Sequence, residues 1–324
     1  MKFFITGSTG FIGSHLIDHL QNQKNIEIFA QVRNLSNLKW LRGKDIHFLK
    51  GDLFSIPSLP SDIDYVFHLA GLTKSTKMAN YYTVNHRGTA SFFRALRSQK
   101  ISPRKIIYLS SLAAVGPSYG GHPVKETDSP HPITPYGESK FLGEKEVLRN
   151  KHDFPVVIIR PGPIFGPRDT DFLSYFKWIN KGILPSFDSS PRWISICYVR
   201  DLINALILPT QFPTQSGEIF HIADPCPYSY DKIGKTAGDV LGKKLKRVKI
   251  PLSFAYPFVL ISDVVNKLTQ NPIIINRDKY IEMKQEGWMM NTQKSQKKLS
   301  FFPRYSLREG LEETLHWYQQ NNWM

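Results

Sequence analysis

The sequence predicts an α/β fold in which a doubly wound parallel sheet is joined to a smaller C-terminal lobe. Short apolar runs of strand length occur in the first half of the chain, at residues 2–6, 26–32, 46–50, 65–70, 105–109 and 156–160. Amphipathic segments long enough for helices lie between several of these runs, at residues 12–22, 79–98 and 137–151. Short apolar strands that alternate with helices are typical of a parallel sheet covered on both faces.

The composition is that of an ordinary globular protein. Of the 324 residues, 41% are hydrophobic and 21% are charged, which is enough apolar material for a large core. The two cysteines, Cys197 and Cys226, do not form a C-x-x-C pair. A disulfide framework and a cysteine-rich zinc site are therefore excluded, and no metal site is predicted. We see no apolar leader segment and expect a cytoplasmic protein.

The formal net charge of +15 would attract anions. Phosphorylated ligands, nucleic acid and anionic lipid headgroups all fit such a charge, and a solvated basic surface is the simplest interpretation. Because no nucleic-acid-binding signature accompanies the charge, we expect no nucleic acid partner. The apolar segment 254–261 follows a basic cluster and could make a weak membrane-surface contact, although a buried helix is the preferred interpretation. The cluster consists of Lys243, Lys244, Lys246, Arg247 and Lys249.

The character of the chain changes after residue 160. Residues 161–195 are rich in proline and aromatic residues, whereas 201–208 and 217–222 return to helix and strand patterns. An amphipathic helix is predicted at 306–321. We expect residues 161–324 to form mostly a substrate-binding lobe, with about 195–225 returning to the sheet domain. In open α/β folds, ligands bind at the carboxyl edge of the sheet, which this lobe would cover.

A glycine-rich turn, TGSTGFIG at residues 6–13, follows the first strand and opens the first helix. Gly7, Gly10 and Gly13 fit a tight turn, a close approach of the backbone to a pyrophosphate, and close helix–strand packing. The helix N-terminus adds unpaired N–H groups and a positive dipole end. The turn predicts a Rossmann-type dinucleotide-binding domain over residues 1–160.

The end of the second strand bears on the choice of cofactor. An acid there accepts the ribose hydroxyls of NAD, whereas an arginine suits the 2′-phosphate of NADP. No acid lies between Ile28 and Lys44, and Arg33 stands at the strand's end. An arginine can bind a phosphate through two hydrogen bonds. We therefore predict NADP, with NAD as the alternative.

Tyr136 and Lys140 are the predicted catalytic pair. They are four residues apart at the start of a helix that opens with Pro135, so both side chains can face one site. A nearby ammonium, together with an oxidised nicotinamide, should lower the phenol pKa from about 10 towards the working range. Ser110 and Ser111 end a neighbouring strand, and a hydroxyl there could hold the reacting oxygen against the tyrosine.

The order of these motifs resembles that of the extended short-chain dehydrogenases/reductases, the NAD-dependent epimerase/dehydratase superfamily, over essentially the whole chain. The strings that carry the resemblance are TGSTGFIG, GDL, VFHLAG, VN, YLSSLAAVG, YGESK and RPGPIFGP. The resemblance implies that Ser111, with Gly116 at the usual interval, joins Tyr136 and Lys140 in catalysis. It also implies contacts to the cofactor from Gly7, Thr9, Gly10, Phe11, Ile12, Gly13, Asp52, Leu53, Ala70, Gly71, Asn85, Lys140 and Pro161.

Two reactions remain open. The sequence AQVRN is more similar to the dihydroflavonol reductase and 3β-hydroxysteroid dehydrogenase-like branch, which implies an NADP-linked reductase of a mostly apolar ketone or secondary alcohol. The alternative is a nucleotide-sugar epimerase or dehydratase. Many such enzymes carry an arginine where this chain has Ile194, and Arg192 is displaced by two residues. Aromatic residues of the lobe could line an apolar pocket or form its core. They are Phe172, Tyr175, Phe176, Trp178 and Phe187.

Two further interpretations concern the protein as a whole. It could be a dinucleotide-binding scaffold that has lost catalysis, although the intact Ser111, Tyr136 and Lys140 argue against this. Relatives often form homodimers through helices beside the sheet, and segments 79–98 and 137–151 are the candidates here.

Overall fold

The computed structural model describes residues 1–36, 38–186, 192–249 and 277–324. Its strands are β1 (Lys2–Thr6), β2 (Glu27–Val32), β3 (His47–Lys50), β4 (Tyr65–His68), β5 (Lys105–Leu109), β6 (Val156–Pro161), β7 (Ile164–Phe165), β8 (Ile183–Ser186), β9 (Trp193–Ile194), β10 (Cys197–Tyr198), β11 (Glu218–Ile222), β12 (Tyr228–Ser229), β13 (Lys246–Lys249) and β14 (Gly287–Trp288). Its α-helices are α1 (Phe11–Leu20), α2 (Met78–Tyr81), α3 (Thr89–Ser98), α4 (Pro135–Arg149), α5 (Leu173–Asn180), α6 (Val199–Gln211), α7 (Tyr230–Val240), α8 (Arg277–Met283), α9 (Gln293–Leu299) and α10 (Leu307–Gln320).

Seven parallel strands form the central sheet in the order β11-β6-β5-β4-β1-β2-β3. The chain winds outward in both directions from the neighbours β1 and β4, so the strand order reverses between them. A crevice at the carboxyl ends of strands on either side of such a reversal is the usual ligand site of open α/β sheets. The predicted Rossmann-like fold is confirmed.

The sheet is buried on both faces because its strands are continuous apolar runs. On one face, Phe3 and Ile5 of β1 pack in a cluster with Leu16 of α1 and Leu206 of α6. On the other face, Phe4 belongs to a second cluster with residues of β5, α3 and α4. Burial of one side chain of this size stabilises the fold by roughly 1.5–3 kcal/mol.

The segment predicted as one helix at 79–98 is built differently. An α-helical turn, α2, leads into a π-helical stretch at Tyr82–Gly88, and only then does the regular helix α3 begin. π-helical turns widen a helix locally and occur often at functional sites. The widened stretch carries Asn85, whose side chain forms hydrogen bonds with the loop after β4, as described below.

The aromatic residues after position 160 mostly form a core of their own. Phe172 and Phe176 are buried in a cluster with Leu311 and Leu315 of α10. Trp178 is instead 49% exposed. The core interpretation is thus correct for Phe172 and Phe176, whereas Phe187 and the apolar segment 254–261 lie outside the described residues. Within the ranges that the structure describes, no helix has the length and hydropathy needed to cross a bilayer.

Candidate active site

The glycine turn after β1 has the shape of a phosphate cradle. Gly7 has a φ of +70°, and a Cβ atom there would lie 2.7 Å from the Ala70 backbone nitrogen. A Cβ on Gly13 would lie 2.2 Å from the Gly7 oxygen, so this position requires glycine for helix–strand packing. Gly10 caps α1 without a side-chain hydrogen bond and is exposed. The helix N-terminus is therefore accessible to an anion, and the residues of the turn fit a dinucleotide pyrophosphate.

A buried histidine fixes the loop beside this cradle. His68, at the end of β4, is fully buried, and its Nδ1 lies 2.8 Å from Thr6 Oγ1. Thr6 Oγ1 in turn accepts a hydrogen bond from the Ala70 N–H at 3.1 Å. On the other side of the ring, Nε2 lies 3.2 Å from Thr89 Oγ1. Burial lowers the pKa of His68 to about 3, so the ring is neutral and acts as a spacer that sets the position of the Ala70–Gly71 loop.

The residues expected around the adenosine occupy the end of β2 and the loop after β3. Arg33 is exposed, as its predicted contact with a phosphate requires. The Asp52 carboxylate accepts N–H bonds from Phe54 and Ser55 at 2.8 and 2.9 Å, and these bonds lower its pKa more than Arg33 does. Leu53 is buried, and it packs so closely on Gly88 that a Cβ there would lie 2.7 Å from Leu53 Cδ1. Asp52 therefore caps its own turn, and Leu53 anchors that turn to the widened helix.

Helix α4 begins at the predicted catalytic tyrosine. Thr134 caps the helix by accepting the Gly137 N–H at 3.1 Å, and Pro135 occupies the first turn. A Cβ on Gly137 would lie 2.3 Å from the Ala113 oxygen, so this glycine lets α4 approach the turn after β5. That turn is capped by Ser111, and a hydrogen bond between Ser111 and Tyr136 lowers the phenol pKa. The structure thus brings Ser111 and Tyr136 together.

Lys140 lies one turn further along α4 and is 5% exposed. Its Nζ donates to the Leu109 oxygen at 2.6 Å. Burial lowers its pKa to about 8, and the nearby Glu144 carboxylate opposes this shift. A Cβ on Gly71 would lie 3.5 Å from Lys140 Nζ and 3.3 Å from Asn85 Oδ1. Lys140 is therefore held at the loop next to the cradle, beside Asn85.

Asn85 holds that loop in place. Its Oδ1 accepts the Leu72 N–H at 2.7 Å, and its Nδ2 donates to the Leu72 oxygen at 3.0 Å. The same Nδ2 also donates to Ser139 Oγ on α4 at 2.9 Å. One buried amide thus ties the loop after β4 to the helix that carries Tyr136 and Lys140. The other predicted cofactor contacts lie at the same carboxyl edge, where Thr9, Phe11 and Ile12 flank the cradle and Pro161 ends β6.

The comparisons with known proteins identify the family of this chain. The model of the NAD dependent epimerase/dehydratase family matches residues 3–223. The chain belongs to this family. Its members are NAD-dependent enzymes of the extended short-chain dehydrogenase type, so the resemblance seen in the sequence is confirmed at the level of the family.

Relatives of this family member catalyse more than one reaction. A ceramide reductase of Caulobacter vibrioides is 26% identical over 325 residues, covering 99% of this chain and 95% of that protein. A UDP-glucose 4-epimerase of Vibrio cholerae is 23% identical over 344 residues, covering 99% and 96%. The structure of UDP-glucuronic acid 4-epimerase from Bacillus cereus in complex with NAD superimposes with a TM-score of 0.79 at 23% identity, covering 99% of each chain. The structural likeness shows the common fold.

The lower phenol pKa predicted for Tyr136 beside an ammonium and an oxidised nicotinamide stays a prediction for the cofactor-bound protein. In the chain by itself, burial raises that pKa to about 12. Hydrogen bonding from Ser111 and the charge of Lys279 oppose the rise, while Glu282 and Asp171 add to it. The phenol is therefore protonated at neutral pH and is poised to donate a proton.

A buried ion pair behind Lys140 is not among the residues that the sequence predicts. Arg160 Nε and Nη2 donate to the two carboxylate oxygens of Glu144 at 2.8 and 2.7 Å, with both side chains almost completely buried. Ser110 Oγ donates to Glu144 Oε1 at 2.5 Å. The only signal in the sequence is Glu144 four residues after Lys140, on the same face of α4. The pair connects β6, α4 and the end of β5 beneath the site.

Proposed function

We propose that this family member is an NADP-linked reductase or dehydrogenase of a ketone or secondary alcohol in a mostly apolar substrate. The proposal is supported by Ser111 lying beside Tyr136, and by Lys140, one turn further along α4, lying at the loop next to the glycine cradle where the strand order reverses. The bound cofactor would supply the hydride acceptor or donor, and residues 161–324 would mostly supply the substrate-binding lobe.

The three side chains have complementary roles in this proposal. Tyr136 gives its proton to the carbonyl oxygen of the substrate during reduction and takes it back during oxidation. Ser111 holds the same oxygen by a hydrogen bond. Lys140, with a pKa of about 8, is mostly protonated at neutral pH, and its ammonium stabilises the phenolate formed after proton transfer.

The preference for NADP rests on the end of β2. Arg33 is exposed there, and no acid stands between Ile28 and Lys44 to accept ribose hydroxyls. The charge of Arg33 helps to lower the pKa of Asp52, but the Asp52 carboxylate already accepts two backbone N–H bonds within its own turn. The guanidinium therefore remains available for a 2′-phosphate.

Replacing Arg33 by Asp should weaken NADP binding about 10- to 100-fold, because a hydrogen bond to a charged group is worth roughly 1.5–3 kcal/mol. NAD affinity should stay constant or improve, since an acid at this position accepts ribose hydroxyls. Calorimetric titration of both dinucleotides measures the two affinities. Lys24→Asp makes the same charge change on the exposed turn before β2 and should leave both unchanged. Tighter binding of NAD than of NADP by the unmodified protein would contradict the proposal.

A nucleotide-sugar epimerase or dehydratase is the second candidate, because the Vibrio cholerae relative is a UDP-glucose 4-epimerase. One observation favours the reductase: Ile194 is buried where many nucleotide-sugar enzymes carry an arginine. A non-catalytic dinucleotide-binding scaffold is the third interpretation, and it is tested by the Tyr136 variant described in the Discussion.

A substrate screen separates the first two candidates. The purified protein should oxidise NADPH, followed by its absorbance, when ketones with long apolar chains are added. It should not convert UDP- or dTDP-sugars, followed by chromatography of the sugar nucleotides. A panel of short polar ketones serves as the control for the apolar requirement. Turnover of nucleotide sugars without turnover of any ketone would reverse the ranking.

A further inference from the structure

A strongly basic surface, which we call the basic face, is formed by residues that follow the predicted catalytic residues in the sequence. It is formed by the exposed end of α5 and by the exposed strand β13 with the turn before it. Its residues are Lys177, Trp178, Lys181, Lys243, Lys244, Lys246, Arg247, Val248 and Lys249, and all of them are exposed.

Backbone contacts make the basic face continuous. The Lys246 N–H donates to the Gly182 oxygen at 2.8 Å, directly after the end of α5. From there β13 runs parallel to β8, with Lys246 opposite Ile183 and Lys249 opposite Ser186. The Lys243 N–H bonds to the Gly238 oxygen at 2.9 Å, which attaches the turn to α7. The lysines of α5 and of β13 therefore belong to one surface.

The charge of the basic face is only partly balanced by its neighbours. Its seven cationic side chains adjoin α7, which carries Asp231 and Asp239. Asp231 forms an ion pair with Arg247, and Asp239 is exposed near the turn that begins the cluster. The cations outnumber these acids, so the face attracts anions. An enzyme surface gains nothing in stability from gathering like charges, which costs free energy by repulsion.

Two apolar side chains project among these lysines. Trp178 is 49% exposed on α5, and Val248 is 36% exposed on β13. Tryptophan beside lysine is typical of the bilayer interface, where the ring sits among headgroups and the ammonium groups meet lipid phosphates. Nucleic acids are more often held in a basic groove, whereas all four residues of β13 are exposed.

We propose that the basic face docks this enzyme on a bilayer rich in anionic lipid. The docking is peripheral and electrostatic, with Trp178 inserted at headgroup level. The proposal goes beyond the proposed reaction and does not depend on it, because binding is measured without substrate or cofactor.

The experiment is sedimentation of the full chain with phosphatidylcholine vesicles, with and without about 30% phosphatidylglycerol. We expect binding to the anionic vesicles only, and loss of that binding when salt shortens the Debye length to about 3 Å at 1 M. The triple variant Lys243→Glu, Lys244→Glu, Lys246→Glu should bind at least about tenfold more weakly, because each lysine near the surface adds to the attraction. The matched control Lys24→Glu, Lys151→Glu, Lys297→Glu changes the net charge equally at exposed sites elsewhere and should keep its binding.

Trp178 gives a second, independent readout. Anionic vesicles should shift the tryptophan emission to shorter wavelength, and Trp178→Phe should remove most of this shift while preserving sedimentation at low salt. Equal binding to neutral vesicles, or equal binding by the two triple variants, would overturn the proposal. Tighter binding to duplex RNA than to the anionic vesicles would overturn it as well. If the charge-reversed variant fails to fold, the corresponding Lys→Gln triple variant replaces it in the same comparison.

Discussion

Replacing Tyr136 by Phe should lower kcat by about 10²–10⁴-fold, because positioned proton transfer contributes that much to a rate. The aromatic ring remains, so its contact with Tyr81, at 6.0 Å between ring centroids, is preserved. Cofactor affinity should change little, since the glycine cradle and Lys140 are intact. Steady-state kinetics with an apolar ketone, together with cofactor titration, separates the two effects.

Tyr82→Phe is the matched control for this prediction. This variant also loses one phenol hydroxyl near the same helix. In the unmodified protein, that hydroxyl donates to Glu138 Oε2 at 2.6 Å. Tyr82 takes no part in the proposed proton transfer, so the kcat of the Tyr82→Phe variant should remain within about twofold of that of the unmodified protein. If Tyr136→Phe retains full kcat, the proposed chemistry is wrong. If it loses kcat but supports cellular function unchanged, the scaffold interpretation becomes the better one.

The fold could be predicted because the strongest physical signals are local in the sequence. Strands such as β1 and β5 are apolar runs bounded by polar turns, and their observed limits coincide with the predicted ones. The predicted helix at 306–321 is observed as α10, where Ser306 and Glu309 form a reciprocal capping box. In each case the residues that set the boundary are neighbours in the chain, so their pattern is visible before folding.

The parts of the site that escaped prediction depend on contacts between distant residues. Glu144 and Arg160 meet only because α4 packs against β6, and nothing in either segment alone indicates the partner. The same holds for His68, whose two hydrogen-bonding partners, Thr6 and Thr89, come from β1 and α3. The raised phenol pKa of Tyr136 in the chain by itself could not be predicted, because the sequence gives charges but not burial. Desolvation requires knowing what surrounds a group, and that is a property of the tertiary structure.

Glu144→Ala should lower the free energy of unfolding by about 3–5 kcal/mol, because it leaves the buried Arg160 guanidinium without its partner. Both carboxylate oxygens accept from Arg160, and Ser110 also loses its acceptor. Urea denaturation of the full chain measures the loss. Glu312→Ala provides the control: it removes an exposed pair with Arg308, at 2.9 Å, and should cost less than about 1 kcal/mol.

The double variant Glu144→Gln, Arg160→Met tests whether the loss comes from the unpaired charge. It removes both charges while keeping similar volumes, and should be more stable than Glu144→Gln alone. If the double variant is as unstable as the single one, packing and not charge explains the effect. Equal stability of Glu144→Ala and Glu312→Ala would contradict the burial of the pair altogether.

The pH dependence of catalysis should show the effect of the Glu144 carboxylate on the predicted catalytic lysine. Burial lowers the pKa of Lys140 and the Glu144 carboxylate raises it, and together they give a pKa of about 8. Glu144→Gln removes the raising charge, so the Lys140 pKa should fall further and the ammonium should be lost at lower pH. Because the protonated lysine stabilises the phenolate of Tyr136, the alkaline limb of kcat/KM should move to lower pH in this variant. Glu312→Gln, which is remote from Lys140, should leave the profile in place. A loss of stability without any movement of the alkaline limb would show that Glu144 supports the fold alone and does not position or tune the lysine.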